Sequence, residues 1–108
     1  GGDIVAFNSS DINLKENIVA IPNALDKINA ISGNTFTWKE DGTPSINHRK
    51  GMADIGVIAQ EIEALGLPGL ATTREDGVKA VRYDRLVAVL IQAVKELSAK
   101  VTALRVHK

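Results

Sequence analysis

The most constraining feature of this chain is a regular alternation of valine and leucine near its C-terminus. Val87, Leu90, Val94, Leu97, Val101 and Leu104 follow one another at intervals of three and four residues. Valine falls at every a position and leucine at every d position of a heptad, so the spacing predicts one long helix over residues 83–108. Tyr83-Asp84 opens it, with Asp84 as the expected N-cap. The first half is apolar off the seam as well, at Leu86, Val89 and Ile91, whereas the second half carries Lys95, Glu96, Lys100 and Arg105 outside it. The first half is therefore expected to pack on its own chain and the second half to zip with other helices. The competing reading, a core helix of a monomer, leaves the seam from Leu97 to Leu104 uncovered. Valine at a with leucine at d leans toward two strands in parallel coils, although three heptads weigh little.

A chain of 108 residues allows one domain that buries roughly 65% of its unfolded surface. Aromatic residues make up only 4%, so the core must be aliphatic. Thirteen basic residues balance thirteen acidic ones, which argues against a general nucleic-acid binder, since displacing counterions needs an excess of Lys and Arg. There is no cysteine, which excludes a disulfide framework, thiolate catalysis and Cys-ligated zinc. The longest apolar run, Leu86 to Ile91, is six residues, far short of the ~20 needed to span a membrane. Residues 1–9 carry no basic n-region of a secretory leader. No repeat of solenoid or propeller period is visible.

Along the chain, Ile4 to Phe7 form a strand-like patch. Leu14, Ile18, Ile21, Leu25, Ile28 and Ile31 keep a helical period, interrupted by Pro22, which removes a backbone donor and disfavours helix at Ile21. We expect a short or irregular helix over 13–20 and a firmer one from Pro22, ended by Ser32-Gly33. Thr35 to Trp38 alternates polar and aromatic residues, a half-buried strand. Glu40 to Pro44 reads as a turn and Ile46 to Gly51 as a polar loop. Asp54 to Ile58 is a second strand, and Ala59 to Leu65 a short helix closed by Gly66 and Pro68. Leu70 to Thr73 and Val78 to Arg82 flank Asp76-Gly77, a hairpin signal.

Few residues suggest chemistry by spacing alone. His48 and His107 stand far apart, without partners at metal-ligand spacing, and read as solvated. Glu61 and Glu63, two apart on a helix, point to different faces and read as solvated surface rather than an acid/base pair. His48-Arg49-Lys50 is a small basic cluster of a solvated loop. No glycine pattern supports a nucleotide site. We expect no cofactor and no metal. Ser10 precedes Lys15 by five residues, and on spacing alone Ser10 or Asp11 is simply a helix cap and Lys15 a surface amine.

The segment Ser10-Asp11-x-x-Leu14-Lys15-Glu16-Asn17-Ile18 changes that weighing. It resembles the opening motif of the intramolecular chaperone auto-processing domains of phage tailspikes, tail fibres and endosialidases, the peptidase S74 family. The likeness continues through Ala24-Leu25-Asp26-Lys27-Ile28, Gly33, Phe36-x-Trp38-Lys39 and Ile55 to Ile62 (IGVIAQEI). It goes on through Val81-x-Tyr83-x-x-Leu86 to Ile91-Gln92-Ala93-Val94-Lys95-Glu96-Leu97. In order and spacing it covers residues 10 to about 98.

The resemblance implies a C-terminal domain, residues 10–108, that forms a homotrimer and drives folding of the fibre or spike polypeptide upstream. It then cuts itself off between Ser9 and Ser10. Residues 1–9 would be a remnant of that upstream segment or of an expression tag. The family's catalytic serine and lysine map onto Ser10 and Lys15. A serine hydroxyl needs a base, and a lysine serves only when neutral, so burial or a nearby positive charge must lower its pKa. Implied partners are the chain's own copies and the upstream polypeptide, with no nucleic acid and no membrane. The implied setting is the host cytoplasm during virion assembly, with release from the mature fibre after cleavage. A non-cleaving trimerisation clamp with an inert Ser/Lys pair is the alternative. The expected architecture is α+β: a small antiparallel sheet of three or four strands, short helices, and a long C-terminal helix in a parallel, trimeric coiled coil.

Overall fold

A computed structural model of the chain describes residues 9–40 and 50–106. The strand-like patch Ile4 to Phe7, the turn from Asp41 to Pro44, most of the loop after Ile46, His48 and His107 lie outside the described residues.

The chain runs through a 3-10 turn Ile12–Leu14, then α1 (Ala24–Asn29), β1 (Asn34–Thr37) and β2 (Ala53–Gly56). It continues through α2 (Ala59–Glu63), β3 (Ala71–Thr73), β4 (Lys79–Val81) and α3 (Tyr83–Val106). This is the expected α+β class, with one difference. The strands form two separate two-stranded antiparallel sheets instead of one sheet of three or four. Asn34 faces Gly56 and Thr37 faces Ala53 in the first, and Ala71 faces Val81 in the second. After Gly56 the chain turns into α2, which packs against β3 and β4, so the strand pairs never meet edge to edge.

Local chemistry accounts for the boundaries. In the β3–β4 hairpin Gly77 sits at φ +86, a conformation open to glycine at little cost. Its N–H donates to Arg74 O at 2.9 Å, and Asp76 Oδ1 accepts Val78 N–H at 3.0 Å. The expected helix over 13–20 reduces to the single 3-10 turn, because Asn17 adopts φ +54 and β-branched Ile18 and Val19 follow before Pro22. Helix α1 is shorter than expected. It starts after Asn23, at φ 52, and ends at Asn29, three residues before Ser32. Asp84 lies in the first turn of α3 rather than at its N-cap. The bonding begins two residues earlier, where Arg82 O accepts the N–H groups of Arg85 and Leu86. A carboxylate there still complements the helix dipole.

The core is small and aliphatic: Ala24, Ile62, Leu70, Leu86, Val89 and Ala93. Helix α3 supplies three of these from one stripe, and it packs chiefly on α1, where Ala24 and Ala93 let the backbones approach. The heptad residues occupy the adjoining face. All six are 44–70% exposed. As expected, the first half of α3 packs on its own chain, with Leu86, Val89 and Ala93 buried. The helix divides by face, and Val87, Leu90 and Val94 stay uncovered even where Leu86, Val89 and Ala93 are buried. One residue of offset rotates a side chain about 100°, which separates the two stripes.

Candidate functional site

Ser10 and Lys15 meet because a capped turn lies between them. Asp11 is the N-cap of the 3-10 turn, and its Oδ1 accepts Asn13 N–H at 2.8 Å. Leu14 N–H donates to Asp11 O at 3.0 Å and Lys15 N–H to Ile12 O at 3.1 Å. Lys15 leaves the turn in extended conformation. The turn shortens the path, and Lys15 Nζ donates to Ser10 Oγ at 2.9 Å. That distance is within the reach required of a general base and its nucleophile. Asp11 takes the capping role that the residue pattern suggests, and its carboxylate accepts from the backbone. Among the described residues no ion pair joins Lys15 to Asp11 or Glu16.

The pair sits in the open. Residues 9–20 are all exposed, including Ile12, Leu14, Ile18 and Val19. Beside the pair runs a groove of about 680 Å³ whose lining includes Ser9, Leu70, Arg82, Asp84, Arg85 and Val89. The N-terminal turn of α3 therefore faces the same space as Ser9, Ser10 and Lys15. Neither arginine was singled out by sequence, because no local pattern ties residues 82–85 to residues 9–15. A second groove of about 640 Å³, lined by Phe36, Trp38, Ile58 and Tyr83 among others, is bounded by both sheets. It contains neither Ser10 nor Lys15.

Glu63 stays on the surface as expected, whereas Glu61 is drawn into a hydrogen-bonded contact. Glu61 is not free surface: its Oε1 accepts both Ser32 N–H at 3.0 Å and Ser32 Oγ–H at 2.9 Å. Glu63 pairs with Lys79 at 2.9 Å on the surface. The two do point to different partners, as the helical spacing requires. Glu96, read simply as a residue off the seam, accepts Ala24 N–H and Leu25 N–H, each at 2.9 Å. It caps α1 from α3, and the two backbone donors, Leu25 first and then Ala24, hold its carboxyl below the ordinary value. Partners more than 70 residues apart leave no sequence signal. Among the described residues no group of metal-ligating side chains gathers. None of the described helices is long and apolar enough to cross a membrane.

Residues 10–72 match the peptidase S74 family, described as the chaperone of endosialidase. The chain is 33% identical over 89 residues to the long tail fiber protein Gp37 of Escherichia phage AR1, covering 81% of this chain and 8% of that protein. It is 33% identical over 99 residues to Gp37 of Enterobacteria phage K3, covering 88% and 8%. It is 31% identical over 104 residues to Gp37 of Salmonella phage S16, covering 90% and 13%. The chain thus spans about a tenth of the length of these relatives.

Proposed function

This chain belongs to the peptidase S74 family, the chaperones of endosialidase, and from that premise we propose that it is the self-releasing folding domain of a phage tail fibre. Residues 10–108 trimerise through the seam of α3, assist folding of the polypeptide upstream, and cut the Ser9–Ser10 bond. The contact between Lys15 Nζ and Ser10 Oγ carries this reading, and the start of the family match at Ser10 supports the boundary.

The chemistry is an intramolecular acyl shift followed by hydrolysis. Neutral Lys15 takes the proton of Ser10 Oγ as the oxygen attacks the Ser9 carbonyl carbon. The carbonyl π pair moves to oxygen. The intermediate collapses with loss of the Ser10 nitrogen, which receives the proton from Lys15. An ester now joins Ser9 to Ser10 Oγ, and water splits it into a Ser9 carboxylate and the restored Ser10 hydroxyl. No external substrate is needed, because nucleophile and scissile carbonyl belong to adjacent residues.

In the single chain Lys15 is exposed to water. Packing of neighbouring copies on the exposed face around Ile12, Leu14 and Ile18 would remove that water and switch the pair on after assembly. Cleavage after folding leaves the fibre without its assisted route back, and so kinetically stable.

The test is to express the complete protein with its upstream segment, as wild type, Ser10→Ala and Lys15→Ala. The variants are expected to assemble as uncut trimers while the wild type releases a fragment beginning at Ser10. Normal cutting by both variants removes the dyad and leaves a different nucleophile, whereas a wild type that stays an uncut trimer favours the clamp.

A further inference from the structure

Self-cleavage needs, besides a nucleophile and a base, a group that receives the negative charge on the Ser9 carbonyl oxygen. We infer that this group is Arg85, which lines the groove shared by Ser9, Ser10 and Lys15. The inference rests on the self-cleavage reading above and assigns that reaction its charge-stabilising residue.

Several independent features point to Arg85. First, it lines the same groove as the scissile residue and the Ser10–Lys15 pair. Second, it is held in place. Its Nη1 donates to Gly69 O at 3.5 Å, and Gly69 has φ +70. The three atoms nearest a Cβ at that position would all belong to Arg85, and Nη1 would collide with it. Gly69 thus gives the guanidinium both a carbonyl anchor and bare backbone to lie against. Third, its backbone is set in the first turn of α3, with Arg85 N–H donating to Arg82 O at 3.0 Å, next to core residue Leu86. Stabilisation of a developing charge depends on donors that are already oriented, and these contacts orient Arg85.

The residue type suits the task. A guanidinium has five N–H donors and stays charged throughout. With one N–H directed to Gly69, others remain for the oxyanion. Arg85 neither gains nor loses a proton during the acyl shift, so it does not compete with Lys15 for the proton of Ser10. Arg82 lines the same groove and carries the same charge, and it provides the comparison that separates a placed donor from a general positive field.

The experiment follows self-cleavage of the complete protein with its upstream segment, by fragment release over time, with oligomeric state measured on the same samples. Arg85→Ala is expected to assemble and to cut about 10²–10³-fold more slowly, the loss typical of one oxyanion donor. Its pH profile should keep the wild-type shape, because arginine does not titrate there. Low millimolar guanidinium should restore part of the rate, and Arg85→Lys should fall between. Arg82→Ala is expected to cost less than tenfold. An assembled Arg85→Ala protein that cuts at the wild-type rate overturns the assignment, and so does a larger loss with Arg82→Ala. If Arg85→Ala fails to assemble, Arg85→Lys and Arg85→Gln are judged by the same criterion. Ser10→Ala and Lys15→Ala run alongside: if they still cut, the self-cleavage reading fails, whereas if they are blocked and Arg85→Ala is not, Arg85 alone fails.

Discussion

Lys15 Nζ donates to Ser10 Oγ at 2.9 Å across five residues of chain. In an extended strand the same spacing would separate the two by ~17 Å. The 3-10 turn from Ile12 to Leu14 closes that gap, and Asp11 holds the turn by capping it.

Asp11 should therefore control cutting without taking part in it. Loss of an N-cap acceptor costs about 0.5–2 kcal/mol, so Asp11→Ala should slow self-cleavage by roughly 2- to 30-fold as the contact becomes less populated. Asp11→Asn keeps the acceptor oxygen and should remain near wild type. Fragment release over time measures both, and equal rates for the two variants would show that the cap is not what brings the pair together.

Glu96 should make the stability of the α1–α3 packing depend on acid. Its carboxyl is held below the ordinary value of 4.5 by the Leu25 and Ala24 N–H groups. A depressed folded pKa means that the stabilisation is fully present above the unfolded value and is lost as pH falls through the folded one. Wild-type stability should thus decline as the pH drops below about 4.5, and Glu96→Gln should flatten that part of the curve. Denaturant midpoints by circular dichroism between pH 3 and pH 7 would decide it. An unchanged slope in Glu96→Gln would count against the cap.

The heptad face should govern association rather than the fold of one chain. Val94 and Leu97 are 63% and 49% exposed, so an aspartate at either position meets water in the monomer and an apolar seam in a coiled coil. Val94→Asp and Leu97→Asp should sediment as monomers while keeping their helical spectrum. A retained trimer in both would remove the seam as the interface.

Ile62 should behave in the opposite way. It is 1% exposed and joins α2 to the core. Ile62→Ala should cost about 2–5 kcal/mol and Ile62→Val about 0.5–1.5 kcal/mol, read from denaturant unfolding. A small loss with Ile62→Ala would mean that the core closes around the missing atoms.

Much of this molecule is legible in the order of its residues, wherever the cause is local. The heptad spacing marks α3, Asp76-Gly77 marks the β3–β4 turn, and alternation from Thr35 to Trp38 marks β1. Each depends on neighbours within a few positions. The motif around Ser10 and Lys15 and the family it resembles are also local, because spacing and residue type suffice to see them.

Tertiary structure decided whatever depends on partners distant in sequence. Periodicity finds both apolar stripes of α3, but it was packing on α1 that buried Leu86, Val89 and Ala93 and left the heptad positions, Val87 through Leu104, facing outward. Glu61 and Glu96 look like any surface glutamate until the N–H groups of Ser32, and of Ala24 and Leu25, are brought to them. The sheet divided in two because α2 turns the chain toward β3 and β4. Arg85 lines the same groove as the Ser10–Lys15 pair only because folding places the first turn of α3 there. A sequence records which groups a residue can bond, whereas the fold selects which group arrives within 3 Å, and long-range hydrogen bonds and burial follow from that selection.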